Sequence, residues 1–239
     1  MNFGTHPDHP LPPITEWPKQ KAWSYSAVSS HAKCPLQFRF RRIDRLPEPP
    51  SEAMSRGTVI HADLSDYINT GNFPDTSTVS QLWRPFLDGL RALGARSELQ
   101  VAFDKDWVAL PAWYGEAVHA RVVFDAMHHV DKSAFVTEFK TGKVYPEHVQ
   151  QGRLYCLAAL MLQPEAEEAS CQIVYIDQGP GTKRPIFTQQ RSAVPQLLRE
   201  FEDFSKDFLN DTIYPARPGY HCNWCAYSKA KGGPCTQGA

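Results

Sequence analysis

Residues 118–162 read strand, turn, strand, helix, and that order limits the fold more than any other feature of the chain. Val118–His129 and Ala134–Lys140 are rich in β-branched and aromatic residues and flank a polar turn at Asp131 and Lys132, the pattern of a hairpin. Pro146–Leu162 follows with helical periodicity, and Pro146 suits its first turn. Further strands are expected at Cys171–Asp177 and Pro185–Gln190, around the turn QGPGTKR, and at Glu98–Phe103 and Trp107–Leu110. Helices are expected at Ser24–Arg42, broken near Cys34-Pro35 and capped by Ser26, and at Glu52–Asn69, stopped by Gly71. Two more fall at Val79–Leu93, stopped by Gly94, and at Ala193–Leu209. Helices on both sides of a strand block predict an α/β fold with a mixed central sheet flanked by helices. Pro7, Pro10, Pro12, Pro13 and Pro18 make residues 1–22 an extended arm, leaving 23–239 as a single domain.

Composition narrows the function class. Lys+Arg number 25 against 26 Asp+Glu, a formal charge of −1, so any nucleic-acid surface must be local. The longest apolar run, Leu154–Leu162, falls far short of the roughly 20 residues of a membrane-spanning helix. The start has no basic segment followed by an apolar one, so no signal peptide and an intracellular, membrane-free setting are expected. Six cysteines in 239 residues are too sparse for a disulfide scaffold.

The chemistry concentrates in the hairpin. Asp125 lies on its first strand and Glu138 and Lys140 on its second, with the Asp131–Lys132 turn at the midpoint between the two acids. A hairpin closing there sets Asp125 opposite Glu138, with Cβ atoms about 4.5–5.5 Å apart, and puts Lys140 on the face of Glu138. Two carboxylates can share a divalent cation that polarises a phosphoryl oxygen and acidifies water, while the lysine orients the water or offsets developing charge. Oxygen ligands suit Mg²⁺ or Mn²⁺. Spacing alone equally describes solvated residues on an edge strand, but both acids interrupt apolar runs, as charges facing a site do.

Of the cysteines, Cys156 and Cys171 sit in apolar runs and read as core. Cys222, Cys225 and Cys235 lie in HCNWCAYSKAKGGPC, a segment with little apolar surface to bury, and Cys34 is followed by Pro35 near the other end of the chain. A Cys-x2-Cys pair lets two thiolates converge on one centre. From spacing, a 4Fe-4S cluster and a structural Zn²⁺ both stay open, the lone Cys-Pro plus triplet fitting the cluster somewhat better. The stretch KCPLQFRFRRIDR interleaves Arg39, Arg41 and Arg42 with Phe38 and Phe40; arginines neutralise phosphates and aromatics stack on bases, although inward aromatics with solvated arginines describe it as well.

Taken in order, these motifs resemble the PD-(D/E)XK nuclease superfamily, and more narrowly its RecB-like exonucleases, including the CRISPR-associated ones and the nuclease domain of AddB. SYSAVSSHAKCP, SRGTVIH, FDAM, EFKTG, QGRLY and HCNWCAYSKAKGGPC carry the resemblance. It implies a restriction-endonuclease-like core with an iron-sulfur clip joining the two ends of the chain. It further implies metal binding by His61, Asp125, Glu138 and the Phe139 carbonyl, and catalysis by Asp125, Glu138 and Lys140 with Gln151 and Tyr155 close by. Cys34, Cys222, Cys225 and Cys235 would hold a 4Fe-4S cluster. Gln150 replaces Gln151 if the helix register shifts, and Glu98, where similar proteins often carry a glutamate, is a secondary candidate. The implied function is a Mg²⁺- or Mn²⁺-dependent DNA exonuclease acting on single strands or ends in repair, recombination, CRISPR adaptation or phage DNA processing. With no helicase motif present, unwinding would need a helicase, recombination or adaptation partner. The rival is a non-catalytic, zinc-stabilised nucleic-acid-binding subunit of a repair complex.

Overall fold

A computed structural model describes residues 16–49, 51–79 and 81–237. Residues 1–15 of the expected arm lie outside these. From Glu16 the chain is largely irregular, and the Trp17 N–H donates to the Thr212 carbonyl (2.8 Å).

Helix α1 spans Tyr25–Lys33 and α2 Pro35–Arg42, with Cys34 extended between them and Pro35 opening α2. The cap of α1 is Ser24, two residues before the expected Ser26; its hydroxyl accepts from the Ala27 N–H. Helix α3, Glu52–Thr70, is capped by Ser51 and ends where Gly71 takes φ +85°, a conformation natural to glycine. The helix expected over 79–93 splits into a short 3-10 turn, Gln81–Trp83, and α4, Arg84–Ala92. Proline at 85 lacks the N–H a longer helix would need and fits only a first turn.

Strands β1 (Arg96–Phe103), β2 (Ala109–Leu110), β3 (Ala120–Val130), β4 (Ser133–Lys140), β5 (Glu168–Tyr175) and β6 (Ile186–Gln190) form one sheet in the order β2-β1-β3-β4-β5-β6. Only β4 and β5 run parallel, joined by α5 (Glu147–Leu162); the other pairs are antiparallel. A parallel pair needs such a crossover, so one helix makes the sheet mixed. Helix α6, Val194–Asn210, closes the regular structure.

Both faces of the sheet are covered. On one, Val122, Phe124 and Val136 pack with Leu154 and Leu157 of α5, Phe201 of α6 and Val28 of α1. On the other, Ala126, Phe139 and Val174 pack with Ile60, Leu64 and Tyr67 of α3 and Leu87 of α4. The buried positions 60, 64, 67 and 68 of α3 follow helical periodicity, which fixes the rotation of α3 and brings its neighbour His61 over the interior strand β3. Among the described residues no helix is long and apolar enough to cross a membrane.

Candidate active site

The site forms where the sheet departs from regularity. Pairing of β3 with β4 runs from Val130↔Ser133 to Ala126↔Thr137 and stops one pair short of Asp125 and Glu138. Pairing of β1 with β3 skips the pair Glu98–Asp125 while keeping register on either side. Glu98 adopts φ +50°, an uncommon left-handed conformation for a residue with a side chain, at a cost on the order of 1 kcal/mol. Inward alternation slips here as well. Val122 and Phe124 face the α5 side, whereas Ala126 joins the α3 side and Met127 the α5 side. The freed backbone groups find side-chain partners: the Ser97 hydroxyl donates to the Asp125 carbonyl (2.8 Å), and the Phe139 N–H donates to Asp125 Oδ2 (2.7 Å). Asp125 therefore sits in a fork between strands, its carboxylate fixed by the backbone of β4.

Around this carboxylate the hairpin and two helices assemble the other groups. Lys140 Nζ donates to Glu138 Oε1 (2.6 Å), as the shared face of alternate strand residues requires. Gln151 of α5 donates to the same Oε1 (3.1 Å) and to the Tyr155 hydroxyl (2.8 Å); Gln151, not Gln150, makes these bonds. From the opposite side, His61 Nδ1 lies 3.2 Å from Asp125 Oδ1. His61, Glu98 and Asp125 each offer a ligand atom within 4.8 Å of the others. Phe139 meets the site through its N–H. Glu98, a secondary candidate in the sequence, is brought by the structure into the cluster with His61 and Asp125 while staying exposed. Its signal, a glutamate opening a strand, was too weak to foretell the left-handed backbone that turns it there.

Charge is out of balance in this cluster. Glu138 is only 4% exposed, and burial, then the neighbouring charge of Asp125, pushes its carboxyl up to about 8 despite Lys140. Its Oε2 is buried with no hydrogen-bond donor. Burial and Asp125 also raise Glu98. Burial alone would lower His61, but Asp125, Glu138 and Glu98 together raise it. Beneath burial, the largest cause in each case, the shifts share a second one: carboxylates converge here with Lys140 and His61 beside them. A divalent cation would relieve that repulsion; His61, Glu98 and Asp125 converge as its ligands, Glu138 with its unpartnered Oε2 stands beside Asp125, and a donor set of carboxylate oxygens and one imidazole fits Mg²⁺ or Mn²⁺.

The turn after Lys140 is pinned from two sides. Asp177, just beyond β5, accepts from the Gly142 N–H (2.7 Å) and takes a two-pronged contact from Arg56 of α3. The Arg56 guanidinium holds the Asp177 carboxyl below its usual range. Gly57 of α3 passes so near this turn that a Cβ would meet Thr141 Oγ1 at 3.3 Å. Neither Arg56 nor Asp177 was singled out from sequence.

At the far end of the chain, Cys34, Cys222, Cys225 and Cys235 line one cavity with Phe40 and Tyr227. Burial pushes the Cys225 thiol up, and Cys235, Cys34 and Cys222 add to that shift as mutual neighbours. The Gly219 N–H donates to Cys222 Sγ (3.4 Å), and the Cys235 N–H donates to the Tyr227 carbonyl (2.9 Å). Cys156 and Cys171 are wholly buried, as expected of core residues, and burial pushes Cys156 up to about 12. The three arginines fare differently: Arg39 is tied to Asp44 (3.0 Å) with its guanidinium over the Trp17 ring, Arg41 pairs with Glu48 (3.0 Å), and Arg42 is exposed.

The sequence profile of the PD-(D/E)XK nuclease superfamily matches residues 22–230. The chain belongs to the PD-(D/E)XK nuclease superfamily. Its mixed six-stranded sheet between helices is the restriction-endonuclease-like core of that superfamily, whose members generally use divalent metals. No curated protein matches the chain. Solved structures similar to it include SSO0001, at 16% identity over 91% of this chain and 87% of that one, with a TM-score of 0.44. Another is a candidate exonuclease from Eubacterium rectale, at 9% identity over 89% and 87%, with a TM-score of 0.48. A third is LHK-Exo in complex with dAMP, at 13% identity over 79% and 88%, with a TM-score of 0.38. At these identities and scores the three similarities carry no argument about activity.

Proposed function

We propose that this superfamily member is a Mg²⁺- or Mn²⁺-dependent DNA exonuclease of the RecB-like type, working inside the cell on single strands or exposed ends. The observation that carries the reading is the bare, buried Oε2 of Glu138 beside the Asp125 carboxylate, with Lys140 Nζ 2.6 Å from the other oxygen of Glu138. His61, Glu98, Asp125 and Glu138 would hold the cation, with the Phe139 carbonyl a further candidate. When bound, the cation polarises a phosphoryl oxygen and activates water for attack on phosphorus. Lys140 donates a hydrogen bond to Glu138 in the resting state and is free to turn to the attacking water or to the charge that develops on the phosphoryl group. Gln151, which also donates to the Tyr155 hydroxyl, donates to Glu138 Oε1 and restrains its rotamer. Phe139 and Ser97 fix Asp125, so the donor set costs little reorganisation on binding.

The cysteine quartet supports a 4Fe-4S cluster serving as a clip between the chain's two ends. The four cysteines line one cavity, an N–H already points at Cys222 Sγ, and Cys34 comes from the helix junction while the others come from the tail. Nothing in this role needs electron transfer. Repair, recombination, CRISPR adaptation and phage DNA processing all use this chemistry, with unwinding left to a partner.

The test is digestion of end-labelled single- and double-stranded DNA with Mg²⁺ or Mn²⁺, comparing wild type with Glu138→Ala and Lys140→Ala. Loss of cleavage in both variants, each with an unchanged circular dichroism spectrum, is the expected result. Undiminished cleavage rejects the site. Brown protein that bleaches on reduction supports the cluster, whereas colourless protein with stoichiometric zinc and no cleavage favours the non-catalytic module.

A further inference from the structure

The corner built by the cysteine tail carries features that the catalytic site does not use. No Asp or Glu follows Asp211, while Arg217, Lys229 and Lys231 do. This acid-free tail docks on residues 32–46. The Leu36 N–H donates to the Pro215 carbonyl (3.2 Å), Arg217 donates to the Ala32 carbonyl, and the Tyr227 hydroxyl donates to the Leu46 carbonyl (3.2 Å). The Tyr227 ring also meets Phe40 edge-on at 5.5 Å. Two basic segments distant in sequence thus share one corner. Of the acids in and just after the docked segment, Asp44 is taken by Arg39 and Glu48 by Arg41. Lys33, Arg42, Arg45, Lys229 and Lys231 remain exposed and, among the described residues, have no ion-pair partner. A chain with a net charge of −1 thus carries five such cations on the two segments that dock here, residues 33–45 and 229–231.

Two aromatic rings stand out of the same corner. Tyr220 is 78% exposed and Trp224 63%, and Trp224 is the only exposed tryptophan among the described residues. They occupy the two ends of the short turn Tyr220–Trp224, with ring centroids 4.6 Å apart and planes at 77°. An edge-to-face pair braces each ring while leaving faces open to a third. The tail does not need them for its own packing, since Cys225, Tyr227 and Phe40 fill the small core beneath. Unpaired cations and braced, open aromatic rings, carried by the segments that surround one cavity, are the two parts of a single-strand site: charge tracks the backbone and rings stack on bases without regard to sequence.

We propose that Tyr220 and Trp224 stack on the bases of a DNA single strand whose phosphates are neutralised by Lys33, Arg42, Arg45, Lys229 and Lys231, a holding site separate from the catalytic carboxylates. The proposal rests on the nuclease reading for the identity of the strand as DNA. Rings and free cations together favour a nucleic acid over an apolar protein partner, for which the surplus charge has no use.

The test is anisotropy of a labelled oligothymidylate of about 20 nucleotides in EDTA, which separates binding from cleavage. The double variant Tyr220→Ala/Trp224→Ala is expected to bind about tenfold or more weakly, the loss of one to two stacked bases. Trp224→Phe, which keeps a ring, stays within about threefold of wild type. Lys229→Gln/Lys231→Gln is expected to flatten the slope of log affinity against log salt by about 1.4, roughly 0.7 per cation on single strands. Wild-type affinity in the ring-less double variant overturns the proposal and leaves the pair to a protein contact; so does a Trp224→Phe variant as weak as the double one. Failure of the wild type to bind or digest DNA defeats the nuclease reading itself. Wild type that digests DNA, with the double variant binding equally well, defeats only the holding site.

Discussion

Replacing Glu138 by Gln should abolish cleavage and at the same time stabilise the metal-free protein, and the size of the gain follows from the site. The carboxyl is buried beside Asp125 and pushed from its usual 4.5 up to about 8. Ionising it in the folded state therefore costs up to about 5 kcal/mol, at about 1.4 kcal/mol per pH unit of displacement. The rise to about 8 already contains the opposing pull of Lys140; local relaxation and water entry offset part of the remaining cost, so about 2–3 kcal/mol is the expected gain, or roughly 5–10 °C in Tm for a chain of this size. The gain has a sign and a window. Between pH 4.5 and 8 the native carboxyl keeps a proton that the unfolded chain has lost. Stability of the wild type thus falls as pH rises through that range. The amide has no such loss, so the difference between the two proteins is small near pH 5 and full near pH 9. Thermal unfolding followed by circular dichroism in EDTA at both pH values measures it. Mn²⁺ should reverse the order, because a ligand that binds only the native wild type adds stability that the variant lacks. A Glu138→Gln variant no more stable than wild type at the alkaline pH, or stabilised as much at the acid one, refutes the reasoning.

Other positions make further claims. In Gly233→Ala, the new Cβ would lie 2.3–2.5 Å from the backbone of Tyr227, so the tail must move; the expected result is loss of bound iron or zinc by metal analysis with the sheet's far-ultraviolet spectrum kept. Asp177→Ala frees the turn after Lys140 from Gly142 and Arg56. Its stability cost should stay below about 1 kcal/mol for so exposed a pair, while kcat falls several-fold with KM little changed, as steady-state digestion would report. In Gly152→Ala, the added methyl meets the Phe187 ring at 2.5 Å, and a Tm loss corresponding to about 1–3 kcal/mol is expected from overpacking.

Much of this was legible in the sequence because hydrophobic period and turn chemistry dominate there. The hairpin around Asp131 and Lys132, the crossover helix from 147 and the stop at Gly71 fall where pattern and glycine dictate. The pairing of Asp125 with Glu138 was half right. The register extrapolates to that pair, yet the ladder opens before reaching it, because the Asp125 carboxylate takes the Phe139 N–H. Such an exchange of backbone for side-chain partners leaves no mark in residue pattern. Glu98 stayed in the background for a related reason, since its role depends on a strained backbone that propensity argues against. Asp177 and Arg56 were silent because a contact across 121 positions has no local signature. The three arginines after Cys34 were indistinguishable in sequence; only the fold assigns Asp44 to Arg39 and Glu48 to Arg41 and leaves Arg42 exposed.

The most direct probe is to crystallise the protein with Mn²⁺ and locate the ion by its anomalous scattering. The ion should lie against the carboxylates of Asp125 and Glu138, and its peak should vanish in Glu138→Gln crystals soaked alike. Manganese found away from both acids, or an undiminished peak in the variant, would contradict the claim that these residues jointly grip the ion that cuts DNA.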